Sequence, residues 1–98
     1  MTIQEVKQEI PAATKPIVKV LRKTDSTKII VLGFNQGVTL KEHETNVPAK
    51  LVVIEGQVQY REGDKSVILK QYDELEIPVN ILHSVEGIQQ SICLLIHG

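Results

Sequence analysis

From residue 17 onward, apolar runs alternate along the chain with short polar breaks. The runs are Ile17–Leu21, Lys28–Phe34, Val38–Glu42, Lys50–Glu55, Gln57–Glu62, Lys65–Gln71, Glu74–Ile77, Ile81–Val85 and Ser91–Ile96. The breaks read TDST, NQG, TNVP, EG, EGD, YD, PVN and EGIQQ, and are rich in turn formers. Valine and isoleucine occur twelve times each. Their side chains are stiff at χ1 and suit a pleated surface better than a helix. Short strands at this even spacing predict an all-β sandwich or barrel. Leu51–Ile54 and Ile92–Ile96 are apolar at successive positions, so both faces of those strands need cover. In so small a domain a partner subunit is a natural source of it, and a homodimer is expected.

Residues 1–16 follow a different rhythm, and the barrel domain is expected to occupy residues 17–98. Thr2-x-x-Glu5 fits a capping box, Ile3, Val6 and Ile10 recur at helical spacing, and Pro11 stops the turn. A helix this short does not hold alone. Two readings stand: a short helix docked on the barrel, or an extended arm crossing to a partner.

Eleven Lys and Arg against twelve Asp and Glu give a net charge of -1. No basic excess is present to bind nucleic acid or an anionic membrane. The longest apolar windows, such as Ile92–Ile96, fall far short of the roughly 20 residues of a membrane span. The first residues carry charge from Glu5 and lack an apolar stretch, so no secretory leader is expected and the cytoplasm is the expected location. The single cysteine, Cys93, excludes an internal disulfide and a multi-cysteine zinc site.

Two spaced motifs add chemistry to this rhythm. Gly37 is followed by five residues and His43, with Thr45, Ala49 and Gly56 at fixed intervals beyond. Tyr72-Asp73 is followed by Pro78, Asn80, His83 and Gly87. Gly56, in IEGQV between two apolar strands, suits a tight turn that needs positive φ. Asn80 tolerates the left-handed region and can serve as a glycine there.

Over about residues 17 to 97 this pattern resembles a small single-domain cupin of the RmlC-like superfamily. The resemblance implies a double-stranded β-helix, or jelly-roll, barrel with a short N-terminal arm or helix. It also implies a mouth where two His and a Glu of the first motif join a His of the second around iron, manganese, nickel or zinc. Of those four positions only His43 and His83 keep a ligand. Thr45 is a poor donor to a transition metal and Ala49 has none, so the metal motif is degenerate. Two imidazoles alone hold a divalent ion weakly, because stable sites use three or more protein ligands.

Other residues are candidates for a third ligand. Glu42 and Glu44 flank His43 and on a regular strand face the other way, unless a bulge re-aims one. Asn46 and Asn80 are weak donors. His97 shares a face with Cys93 and Leu95, and the plain reading is an exposed residue. Cys93 reads as a small buried hydrophobe. Ser84 faces away from His83, which disfavours a Ser–His pair. Glu74 and Glu76 read as the outer face of an alternating strand. Lys41, Lys50, Arg61, Lys65 and Lys70 read as solvated positions.

The alternate positions that remain predict an aliphatic barrel with a few polar points. Leu51, Val53, Leu75, Ile77 and Val85, with His43, Thr45, Ala49 and His83, make up the expected ligand pocket. The reading favoured by the sequence is a small-molecule-binding or non-catalytic cupin. The alternative is a metal-dependent cupin enzyme, dioxygenase- or isomerase-like, that uses His43 and His83.

Overall fold

The alternation resolves into nine strands in a computed structural model that describes residues 1–98. They are β1 (Ile17–Lys23), β2 (Lys28–Phe34), β3 (Thr39–His43), β4 (Ala49–Glu55), β5 (Gln57–Glu62), β6 (Lys65–Lys70), β7 (Glu74–Ile77), β8 (His83–Gly87) and β9 (Ser91–His97). Two antiparallel sheets result, ordered β1-β2-β9-β4-β7 and β3-β8-β5-β6. Their inner faces meet over one hydrophobic core that includes Leu32, Phe34, Leu51, Val53, Val58, Tyr60, Val85, Cys93 and Leu95. The fold is all-β, with one short helix.

The turns use the chemistry expected of them. Gly56 joins β4 to β5 at φ 86°, and a Cβ there would lie 2.3 Å from both the Gln90 carbonyl oxygen and the Ser91 hydroxyl. Asn80 takes the left-handed region at φ 57°. Tyr72, where the motif has glycine, adopts φ 72° as well. Its amide bonds the Val53 carbonyl at 2.7 Å, and the Asp73 carboxylate accepts the Lys70 amide at 2.8 Å. Those two bonds secure the strained turn before β7.

β8 starts at His83, two residues later than the apolar pattern predicts. Ile81 and Leu82 are apolar yet exposed. They belong to the Pro78–Leu82 turn, whose Asn80 amide is held by the Thr45 carbonyl at 2.7 Å.

Helix α1 (Thr2–Glu9) and a 3₁₀ turn over Ile10–Ala12 precede the barrel. The docked-helix reading is the one the fold adopts. The capping box does not form: Met1 is the N-cap, Thr2 is already helical, and no side chain caps the end. Packing holds the helix instead. Val6 and Ile10 are buried against Val31 and Ile92, with Ile17, Ile54 and Leu94 at the edge. Burying an aliphatic side chain of this size stabilises by about 1.5–3 kcal/mol. Gly33 admits the helix, since a Cβ at that position would meet Val6 Cγ1 at 2.5 Å. Thus the chain itself covers the second apolar face around Ile54 and Ile92, the feature that had suggested a partner subunit.

Candidate functional site at the barrel mouth

Antiparallel partners project their side chains to the same face, so register lists what each face carries. Across the second sheet, His43 pairs with His83, His83 with Glu62, and Glu62 with Lys65. Across the first sheet, Lys28 pairs with His97, His97 with Ala49, and Ala49 with Ile77. Both rows lie at the same end of the barrel, with Ala49 and Ile77 in the core itself. All three histidines of the chain stand in them.

A bulge puts His43 there. Leu40 pairs with Val85 and packs against the core, and strict alternation from Leu40 would turn residue 43 outward. The register shifts between Leu40 and His43, so two residues of β3 oppose one of β8. The extra residue returns His43 to the inner face and leaves Glu42 and Glu44 exposed.

His43 and His83 are oriented alike. Nδ1 of His43 lies 3.0 Å from the Lys41 carbonyl oxygen, and Nδ1 of His83 lies 3.0 Å from that of Ile81. A carbonyl only accepts, so each Nδ1 donates. In the neutral ring this leaves Nε2 with a free lone pair, the form in which imidazole binds metals or hydrogen-bond donors. Neither Nε2 bonds any protein group, and both keep contact with solvent. The two ring centroids are 4.3 Å apart at a 55° tilt. His83 is also stacked on Tyr60 at 5.9 Å and is only 2% exposed.

Glu62 is the site residue that the sequence reading passed over. Val58, Tyr60 and Glu62 share a face by alternation, and that signal alone could have found it. Its Oε1 accepts the Tyr60 hydroxyl at 2.9 Å. Burial, then the hydrogen bond to Glu62, raises the Tyr60 phenol well above its ordinary value.

His97 departs from its sequence reading: it is partly buried and turned inward. Its Nε2 is shut from solvent and has no hydrogen-bond partner. Burial, then the charges of Lys28 and of His43 nearby, lower its pKa. Ala49, directly opposite on β4, presents only a methyl group and is buried in the core.

Thr45 lies in the β3–β4 loop and donates its hydroxyl to the Val47 carbonyl at 2.9 Å. Asn46 and Asn80 are exposed. Cys93 is buried in the core, where burial pushes its thiol up to about 12. Ser84 sits on the outer face opposite Arg61, away from the imidazoles. Glu74 and Glu76 are also outward, and Lys50 pairs with them at 3.2 and 3.3 Å.

Of the expected pocket residues, Ala49, Leu51, Val53, Ile77 and Val85 pack together in the core, with Leu75 against it. They form the floor beneath the mouth. The open space lies at the rim. A cleft of about 510 Å³ runs past Thr39–His43, and one of about 610 Å³ borders Tyr60, Glu62, Lys65 and Leu75. A third, of about 260 Å³, touches Lys28, Val47 and His97.

Solved structures share this architecture. A cupin superfamily protein from Desulfitobacterium hafniense matches with a TM-score of 0.79 and 21% identity, over 84% of this chain and 75% of its own. An RmlC-like cupin from Desulfovibrio desulfuricans matches at 0.80 and 21%, over 86% and 82%. An RmlC-like cupin family protein with a double-stranded β-helix fold, from Methanocaldococcus jannaschii, matches at 0.78 and 18%, over 88% and 82%. The chain has the cupin fold. No family model and no curated protein matches the sequence.

The cupin metal positions can be tested against this geometry. Thr45 spends its hydroxyl on its own loop and Ala49 offers no donor, so the four-position ligand set does not reassemble. No three His, Cys, Asp or Glu side chains converge on a common point as they stand. Two imidazoles tied through Nδ1 to their own backbone remain.

Proposed function

We propose that this cupin-domain protein binds a small ligand at the barrel mouth, on the Nε2 atoms of His43 and His83. One observation carries the reading. Both rings are tied through Nδ1 to their own backbone, two residues upstream, which leaves each Nε2 without a protein partner on neighbouring strands. A histidine pair kept only for packing has no need of matching tautomers. The aliphatic floor of Leu51, Val53 and Val85 supplies an apolar surface beneath a few polar groups, the usual make-up of a small-molecule site. One cleft borders His43 and another borders Tyr60 and Glu62. The cytoplasmic location belongs to this proposal as an expectation from the sequence.

A thermal-shift screen of small molecules against the wild-type chain and the double variant His43→Ala/His83→Ala tests it. Saturation at 100 times Kd adds about 2.7 kcal/mol to stability, a readily measured shift. Compounds that raise the wild-type midpoint and leave the variant unmoved support the reading. A screen in which both proteins respond alike removes it.

A further inference from the structure

We infer that this chain forms a two-fold homodimer through the free edge of β1, with the two β1 strands side by side and antiparallel, so that the five-stranded sheets of both copies join into one. The inference stands apart from the histidine mouth and rests on surface that the barrel leaves uncovered.

Three observations carry it. First, the inner face of β1 is bare. Val18 pairs with Leu32 and Val20 with Ile30, and Leu32 and Ile30 are in the core, so all four side chains share one face. Val18 and Val20 are nonetheless 54% and 50% exposed, and Leu21 beside them is 41% exposed. The strand count is the cause: five strands pack on four, and the outermost overhangs.

Second, the edge is open. β1 is bonded to β2 alone, and no backbone hydrogen bond of residues 17–23 leaves the sheet. Edge strands are commonly blunted by charge or by a bulge. Here the Lys19 charge is spent on Glu9, and the register shifts only between Val20 and Arg22, which leaves Ile17–Val20 regular.

Third, the charges of this edge suit a second copy of itself. Helix α1 packs over Ile17. It carries Glu9 against Lys19, and Glu5, one turn earlier, is close enough for its charge to act on Lys19 as well. Arg22 and Lys23 lie at the other end of the strand, and neither forms an ion pair. Antiparallel pairing about a two-fold axis lays the basic end of each copy on the acidic end of the other, twice over. The other edge with exposed aliphatics, β6 with Val67 and Ile68, lacks this property. Its self-pairing in full register sets Lys65 against Lys70, a like-charge contact that opposes association. On β7, Glu74 and Glu76 are already taken by Lys50.

Sedimentation velocity of the full-length chain tests it. The wild type is expected to be a dimer above about 10 μM. Val20→Asp changes a side chain already half exposed in the single copy, so its far-UV circular dichroism should match the wild type. Its dimer should be weaker by about 100-fold or more, because two carboxylates then meet near the axis. Ile68→Asp, on β6, should leave the dimer intact. Arg22→Glu should loosen the dimer about 10-fold, and Glu5→Arg in the same chain should recover most of that loss. A wild type still monomeric at about 100 μM, a Val20→Asp chain that dimerises as before, dissociation by Ile68→Asp, or no recovery in the charge swap overturns the inference.

Discussion

His43 and His83 face each other across neighbouring strands, with ring centroids 4.3 Å apart, yet they are not equivalent. His83 is wedged between the His43 ring and the Tyr60 ring and is almost wholly buried. His43 borders the open cleft along β3. His83→Ala is therefore expected to cost about 1–3 kcal/mol of stability, by leaving a cavity under Tyr60, and His43→Ala less than about 1 kcal/mol. Urea unfolding of the two variants gives the ranking directly. A larger loss at His43 would mean the mouth is packed differently from this structure.

The helix and the barrel meet at one contact with no slack. A Cβ at Gly33 would fall 2.5 Å from Val6 Cγ1, so Gly33→Ala must push the helix off its seat. The expected cost is about 1–3 kcal/mol, the usual range for overpacking. Val6→Ala removes the offending methyls, and in its presence Gly33→Ala should be much less harmful. A double-mutant cycle measures that coupling. Strictly additive losses would show that the helix does not rest on Gly33.

Two buried acids make the fold sensitive to alkali. Burial pushes the Cys93 thiol up to about 12, and burial with the Glu62 hydrogen bond raises Tyr60. The native state favours the neutral form of each, so on raising pH the unfolded chain ionises first. This contribution is fully present below the thiol's ordinary 9.0 and is lost as pH rises from there toward 12. Stability should fall over that window, and Cys93→Ala should decline less steeply than the wild type. Chemical denaturation at several pH values checks it, and parallel declines would rule out the thiol as a cause.

Much of the fold was legible because strand, turn and core signals agree at each position. Gly56 and Asn80 stand in the positive-φ turns their residue types suit, and the Cys93–Leu95 alternation marks the inner face of β9. The mouth was less legible, for local reasons. The bulge that returns His43 to the inner face has no marker in LKEH, and apolar Ile81 and Leu82 belong to a turn. The capping signal at Thr2 was outweighed by packing of Val6 and Ile10. The apolar outer face around Ile92 is covered by residues some 80 positions away in the chain, which no local pattern reveals. His97 and Glu62 join the mouth only through pairing between strands distant in sequence.

The central claim is that the mouth around His43 and His83 holds a ligand. Native mass spectrometry of untagged protein, purified without chelator, tests it most directly. The account predicts a bound species, metal ion or small molecule, on the wild-type chain, lost on denaturation and absent from His43→Ala/His83→Ala. A wild-type mass equal to the bare polypeptide, unchanged after incubation with zinc and with cell extract, would contradict it.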